Sequence, residues 1–357
     1  MDFTQFSDEE LLAYARQQKA LAALYDTRQA TFKVLNNSLY GALGSVHFRF
    51  YDVFMATAIT LSGYAGINVM SKATNDYLNK LLGTQGKDFI VASDTDSAYI
   101  NVSDIVAAMK IPEDKVVEFL DRWGNTKLQD AIGRGVNQFN RDTNAMKDRL
   151  YFKRESIAKG LIMAKKRYLF QVFDNEGVRY AEPEIKATGL ESKRSSTPEW
   201  CRDALETSYE LLFQPSETVF QKKIKELRGE YMGLPLTKIA AANSANNMRK
   251  WETPEGHASG TPAHIKASIY FNRRLKATGL DKKYPPIRSG DKIKVLMVRE
   301  PNLFHNDAVA FVDKIPTEFA LEEIVDRSAM YEKFFLEPIR RVAEVKGWTP
   351  EKVTRLF

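Results

Sequence analysis

Asp94 and Asp96, separated by Thr95 and followed by Ser97, carry carboxylates two positions apart between the apolar runs Phe89-Ile90-Val91-Ala92 and Ala98-Tyr99-Ile100-Asn101-Val102. The flanks are rich in β-formers and too short for helices, so the segment reads as strand, tight acidic turn, strand. Both carboxylates are thereby lifted to one hairpin tip. Crowded oxygen ligands without a basic neighbour suit a hard divalent cation such as Mg²⁺, which keeps several waters and is usually shared with substrate phosphates. That is the chemistry of phosphoryl transfer. Acidic turns are also common as solvated surface features, so the pair carries meaning only with support from elsewhere in the chain.

Two further groupings offer that support. Lys33, Asn37, Tyr40 and Gly41 follow one another at i, i+4, i+7 and i+8, which places them on one face of a helix. A lysine is a mobile point charge for the outer phosphates of a nucleotide, an asparagine amide donates to a phosphate oxygen, and a tyrosine ring is a flat stacking surface. The glycine lets a flat base pair approach closely. The same spacing also fits an ordinary amphipathic helix with one exposed lysine. Farther on, Lys165, Lys166, Arg167 and Tyr168 lie in a segment that reads as a strand, where alternation puts Lys166 and Tyr168 on one face and Lys165 and Arg167 on the other.

The elements that must position these groups are legible along the chain. Ser7-Asp8-Glu9-Glu10 is a capping box opening a long helical pattern to about Leu43. A second helix runs from about Met55 to Leu82 and is stopped by Gly83, after which the acidic hairpin follows. Asp114 to Trp123 and Lys127 to Met146 read as helices; Arg149 to Ile157, Leu161 to Phe173 and Val178 to Lys186 read as strands, the last two joined by Asp174-Asn175-Glu176-Gly177. The character changes at Gly189, where Ser196-Thr197-Pro198-Glu199 supplies a cap, a first-turn proline and an acidic third position ahead of a helix from Trp200 to Phe213. A domain boundary is expected there. Beyond it come helices near Ser216 to Gly229, Pro262 to Gly279 and Arg327 to Val345, with β-like segments at Lys292 to Val298 and Ala308 to Val312. Residues Ala241 to Gly260, dense in Asn, Ser, Gly and Thr, read as a long loop.

Composition bounds the rest. With 357 residues, 44% hydrophobic and 27% charged, the chain is long enough for two or three packed domains and is not disordered. A net charge of +6 favours an anionic partner, but it is a small excess of 52 basic over 46 acidic residues. The single Cys201 excludes an internal disulfide, and four scattered histidines offer no zinc spacing. No run approaches the roughly 18 apolar residues of a membrane span, and Met1-Asp2-Phe3-Thr4 lacks the regions of a signal peptide. The expectation is a chain that stays in the cytosolic compartment where it is made, without a membrane partner.

Three ordered segments then converge on a resemblance. Lys33-Val34-Leu35-Asn36-Asn37-Ser38-Leu39-Tyr40-Gly41 resembles the K-x3-N-S-x-Y-G fingers motif of family B DNA polymerases, Asp94-Thr95-Asp96-Ser97 resembles their D-T-D-S palm motif, and Lys165-Lys166-Arg167-Tyr168 resembles their K-K-R-Y signature. Agreement extends to Asn79-Lys80-Leu81-Leu82-Gly83-Thr84 and to Gly189-Leu190-Glu191 with Ser195-Ser196-Thr197-Pro198, and the likeness is greatest to the replicative polymerases of large tailed phages. The resemblance implies an α+β right-hand fold: the C-terminal part of the fingers at 1–45, a palm with an antiparallel sheet covered by helices at 46–188, a mostly helical thumb at 189–348 and a tail at 349–357. It implies DNA-templated nucleotidyl transfer with two Mg²⁺ ions, Asp96 ligating both and Asp94 the weaker ligand. Lys33 and Asn37 would bind the triphosphate of a deoxynucleoside triphosphate, and Tyr40 and Gly41 would floor the nascent base pair. Lys165, Lys166 and Tyr168 would hold the primer end of a primer-template DNA, with Arg167 in a structural ion pair, while Lys186, Lys193 and Arg194 would meet the duplex backbone.

The family's earlier palm motif, D-x-x-S-L-Y-P-S, and its editing exonuclease domain have no counterpart here. The expectation is therefore the C-terminal subunit of a split polymerase, inactive until an N-terminal polypeptide supplies the missing aspartate, at work in the cytoplasm of an infected bacterium. Two rivals stand beside it. One is a non-catalytic DNA- and clamp-binding subunit with a relic acidic hairpin; the other is a reverse transcriptase, against which the Lys33 to Gly41 helix argues. The terminal Leu356 and Phe357 resemble the short apolar peptide by which phage relatives dock on a sliding clamp. Deleting both should abolish stimulation by a clamp and leave distributive synthesis intact; processivity that survives the deletion would remove the clamp from the list of partners.

Overall fold

A computed structural model describes residues 5–351, so the tail residues Leu356 and Phe357 lie outside the described residues. Helix α1 (Asp8–Leu43) opens with the expected capping box: Glu10 accepts from the Ser7 backbone N–H at 2.9 Å, and the Ser7 side chain accepts from the Glu10 N–H at 3.4 Å. None of its residues is buried. Helix α2 (Val53–Leu82) starts at Asp52, which accepts from the Met55 N–H at 2.8 Å, and stops at Gly83 in the left-handed conformation. Strands β1 (Ile90–Asp94) and β2 (Ser97–Ile100) pair antiparallel, followed by α3 (Ser103–Ala108), α4 (Val116–Trp123), a π-helical turn at Gly124–Leu128 and α5 (Gln129–Asp142). The two helices expected between 114 and 146 thus run into each other through the π turn, and the second ends four residues early.

Strands β3 (Ser156–Ala164), β4 (Arg167–Asn175) and β5 (Val178–Thr188) form an antiparallel sheet in the order β3-β4-β5. Here the sequence reading needs correction: 149–155 is not strand, and the run from Leu161 to Phe173 is two strands joined by a two-residue turn at Lys165 and Lys166. No Gly, Pro, Asn or Asp marks a turn within this run, because the residue that takes the left-handed conformation is Lys166, at φ +59°.

Next come α6 (Glu199–Leu211), α7 (Glu217–Met232), α8 (Leu236–Ile239), β6 (Ala241–Ser244), α9 (Met248–Trp251) and the two-residue strands β7 (Glu252–Thr253) and β8 (Gly256–His257). They are followed by α10 (Ala263–Thr278), β9 (Lys292–Met297), β10 (Ala308–Phe311), α11 (Leu321–Ile324), α12 (Arg327–Tyr331), a second π turn at Glu332–Leu336 and α13 (Glu337–Val345). The expected long loop at 241–260 is instead built: β6 pairs with β9 in a three-stranded sheet ordered β10-β9-β6. Its small polar residues hid a strand whose partner lies about fifty residues on.

The chain divides into two compact units, the described parts of Met1–Ile111 with Trp123–Lys153, and of Pro112–Arg122 with Arg154–Phe357. In the first, Ile67 and Met70 of α2 pack on Leu128, Ile132 and Val136. A Cβ on Gly135 of α5 would stand 2.8 Å from the Ala73 Cβ, so only glycine permits that approach of α2 and α5. By length and composition α2 is long and apolar enough to cross a membrane, contrary to the reading from apolar runs; its buried positions are confined to Gly66 through Leu78. In the second unit, Leu169, Ala187 and Leu190 share one core with Leu205, Tyr209, Ile224, Tyr231, Phe271, Phe311, Phe335 and Ile339. The second compact unit resumes at Arg154.

One buried carboxylate organises the start of this sheet. Asp174 is fully buried and accepts from Arg154 Nη1 at 2.5 Å, from the Gly177 N–H at 3.1 Å and from Arg179 Nε at 3.3 Å, while Arg154 Nη2 reaches Asp121 of α4 at 2.7 Å. Burial pushes the Asp174 carboxyl up, but the Arg154 hydrogen bond, the Gly177 amide and Arg179 outweigh it and hold it below the ordinary 3.8. Because the folded-state pKa is depressed, this contribution is complete above that value and is lost as the pH falls through the folded pKa. Asp174→Asn should cost about 3 kcal/mol, the lower end for breaking a buried pair because Arg179 is half exposed. Urea titrations at pH 7 check this; a loss below about 1 kcal/mol, the scale of an exposed pair, would show that the cluster behaves as a surface one.

Candidate functional site

The acidic turn is built as its spacing predicts. Register runs Ser93 opposite Ala98 and Asp94 opposite Ser97, which leaves Thr95 and Asp96 as the tip. The Asp96 N–H donates to the Asp94 carbonyl at 2.7 Å and the Ser97 hydroxyl donates to the same oxygen at 3.3 Å. Thr95 sits at φ +57°, where a β-branched residue crowds its own backbone, and its hydroxyl donates to Asp94 Oδ1 at 3.1 Å. Asp94 is half-buried and engaged, Asp96 is exposed. Hard oxygen donors held on one tip fit part of a Mg²⁺ coordination shell. Among the described residues no group of three or more His, Cys, Asp or Glu gathers to hold a metal.

Lys33, Asn37, Tyr40 and Gly41 all lie exposed on α1. Tyr40 is tied to a second element: its hydroxyl is 2.7 Å from the Thr60 hydroxyl of α2. The Thr60 hydroxyl also lies 3.1 Å from the Ala56 carbonyl, and the contact between the two hydroxyls tethers the Tyr40 ring at its hydroxyl end. A Cβ on Gly41 would meet nothing within 4 Å, which leaves that face of the helix open to a flat ligand. Neither Thr60 nor its tether was visible in the sequence, since twenty positions separate the partners.

The basic cluster differs from its reading. Lys165 and Lys166 are the exposed turn between β3 and β4, so strand alternation does not apply to them, whereas Tyr168 is 8% exposed with its ring stacked on Phe170 at 4.7 Å. The lysines project from the tip and the tyrosine supports it from within. Arg167 makes the anticipated ion pair: its Nη2 contacts Glu191 Oε1 at 2.9 Å and Oε2 at 3.0 Å. Lys186 is exposed on β5, Lys193 pairs with Glu206 at 2.5 Å and Arg194 lies 3.8 Å from Glu191. The Lys193 pair is about half exposed, hence worth at most about 1 kcal/mol and readily exchanged for a phosphate. The expected cap of α6 is absent. Thr197 Oγ1 donates instead to the Glu191 carbonyl at 2.7 Å, and the N-cap position falls on Pro198, whose side chain has no hydrogen-bonding group to offer.

Comparison of the sequence with known proteins points to one family. A model described as DNA polymerase family B matches residues 10–118, a span that includes the Lys33 to Gly41 face and the acidic hairpin. The DNA-directed DNA polymerase of Enterobacteria phage T4 is 32% identical over 372 residues, 99% of this chain and 41% of its own length. That of Escherichia phage RB69 is 34% identical, covering 93% of this chain and 38% of its own, and a DNA polymerase of Paramecium bursaria Chlorella virus NY2A is 24% identical over 94% of this chain and 32% of its own. The chain spans about two-fifths of the length of the two phage relatives.

The strain at Thr95 is open to measurement. Left-handed geometry costs an L-residue about 1–2 kcal/mol, while a glycine loses about 0.5–1 kcal/mol more on folding. Thr95→Gly should therefore stabilise the hairpin slightly, by up to about 1 kcal/mol, in thermal unfolding monitored by amide exchange of β1 and β2. A lower stability would mean that the hydroxyl bond to Asp94 outweighs the strain.

Proposed function

The chain belongs to DNA polymerase family B, and from that premise we propose that it carries the closing half of a nucleotidyl-transfer site, extending a DNA primer from deoxynucleoside triphosphates. The observation that carries the proposal is the fixed Asp94-Thr95-Asp96 tip, whose open carboxylate is Asp96 and whose engaged one is Asp94. Two Mg²⁺ ions, when bound, supply the charge that activates the primer 3′ hydroxyl and offsets the charge on departing pyrophosphate. Asp96 would hold them, with Asp94 a weaker and partly indirect ligand. Lys33 and Asn37 orient the triphosphate, and the tethered Tyr40 ring beside the open Gly41 face checks the shape of the nascent pair. Lys165 and Lys166 grip the primer end, and Lys186, Lys193 and Arg194 hold the duplex by its phosphates, giving affinity and salt dependence without sequence preference.

Two carboxylates are half of what a two-metal site needs. A further aspartate is supplied, in this proposal, by a second polypeptide bearing the D-x-x-S-L-Y-P-S motif. Support for such a partner comes from the surface of the helices: Val53, Phe54, Met55, Ile59, Leu61 and Tyr64 of α2 are all exposed, Phe54 at 85%, and apolar expanses of this kind mark protein interfaces. The same reading assigns 1–45 to the fingers, 46–188 to the palm and 189–348 to the thumb, keeps a sliding clamp as a partner of the tail, and sets the work in the cytoplasm of an infected bacterium.

Primer extension with Mg²⁺ and four nucleotides tests it, using this chain alone, the chain with the motif-bearing polypeptide, and that mixture with Asp96→Asn. Incorporation is expected only in the mixture, with a loss on the order of 10³-fold or more in the variant. Activity of the lone chain would show that a carboxylate of its own completes the site; activity indifferent to Asp96→Asn would make the chain a DNA-binding subunit without a catalytic part.

A further inference from the structure

The turn that bears Lys165 and Lys166 is gripped from behind by a segment that carries none of the proposed primer contacts at its point of closest approach. Gly189, the residue after β5, sits at φ +66°, and a Cβ built on it would come 2.0 Å from the Lys166 carbonyl oxygen and 3.3 Å from Arg167 Cγ. The neighbouring atom is backbone, so no rotamer change could relieve the clash; the turn itself would have to move. Two residues on, Glu191 holds Arg167 through both carboxylate oxygens, with its side chain only 14% exposed. Glu191 is in turn fixed by Thr197, which donates to its carbonyl, and by its flanks Leu190 and Ser192, both buried. Lys166 meanwhile adopts the left-handed conformation, a strained state that persists only where the surroundings impose it.

From this geometry we infer that Gly189 and Glu191 are positioning residues for the Lys165-Lys166 turn, setting where its two ammonium groups meet the primer strand. The inference rests on the reading above that these lysines grip the primer. Neither residue touches DNA in this scheme. Both act through the turn, Gly189 by close approach to the Lys166 carbonyl and Glu191 by the charge on Arg167.

A double-mutant cycle separates positioning from general stability. The full chain is titrated with a fluorescein-labelled primer-template duplex over a salt series, comparing the parent, Lys166→Ala, Glu191→Gln, the two combined, and Gly189→Ala. Lys166→Ala should weaken binding several-fold and reduce the salt slope by about 0.9, one phosphate contact. Glu191→Gln should weaken binding several-fold in the parent but less than twofold in the Lys166→Ala background, although it lowers the unfolding midpoint equally in both. Gly189→Ala should reproduce the binding loss of Glu191→Gln; if that variant does not fold, the Glu191 cycle alone decides. A Glu191→Gln effect that is absent, or that adds in full to Lys166→Ala, overturns the positioning role while leaving the lysines as primer contacts. Unaltered binding by Lys166→Ala would instead remove the primer reading, and the inference with it.

Discussion

A single buried carboxylate, Asp174, sets the frame from which the second unit is built. Its three donors come from three places: Arg154 ahead of β3, Arg179 in β5 and the Gly177 amide in the turn between β4 and β5. Two guanidinium groups and two carboxylates, Asp121 included, share the cluster, so removing one member leaves uncompensated charge in a poorly solvated place. Through Arg154 the cluster also joins α4 to the sheet, although thirty-three positions separate Arg154 from Asp121. Strand β4 runs outward from this anchor and ends at Arg167 and the lysine turn.

The two hairpins proposed to meet metal and primer share a structural habit. Each presents its chemical groups on a two-residue tip in which a non-glycine residue, Thr95 in one and Lys166 in the other, takes a left-handed conformation. Such positions cost of order 1–3 kcal/mol and survive where neighbours over-determine them. At Thr95 the determining contacts are local, made by the Asp94 side chain and carbonyl. At Lys166 a distant segment approaches, Gly189 lying so near that a Cβ on it would stand 2.0 Å from the Lys166 carbonyl oxygen. The difference explains why the acidic tip is readable from a four-residue motif and the basic tip is not.

Charge plays a smaller part than the net value suggests. An excess of +6 spread over 52 basic and 46 acidic residues is not a basic surface, and several of the proposed phosphate contacts are already paired, Lys193 with Glu206 and Arg194 close to Glu191. Exposed pairs of this kind are nearly neutral in stability. Under the proposed reading they would keep the cations oriented in the absence of a polyanion and release them to it at little cost, so that binding would depend on salt more than on net charge.

What the sequence by itself determined are the features whose causes lie within a few residues. The capping box at Ser7, the stop of α2 at Gly83, the acidic hairpin and the α1 face from Lys33 to Gly41 are all local patterns, and each is where periodicity and turn chemistry place it. Family membership followed from the same short motifs. Tertiary structure alone decided the rest: strand β6, a run of two alanines, an asparagine and a serine, pairs with the distant β9, Lys165 and Lys166 turn where the backbone passes so close to Gly189 that a Cβ there would clash with the Lys166 carbonyl, and Thr197 donates to the Glu191 carbonyl instead of capping a helix. Each of these choices depends on a partner more than a helical turn away in sequence, and a backbone or side-chain donor goes to whichever partner the packed fold brings within reach.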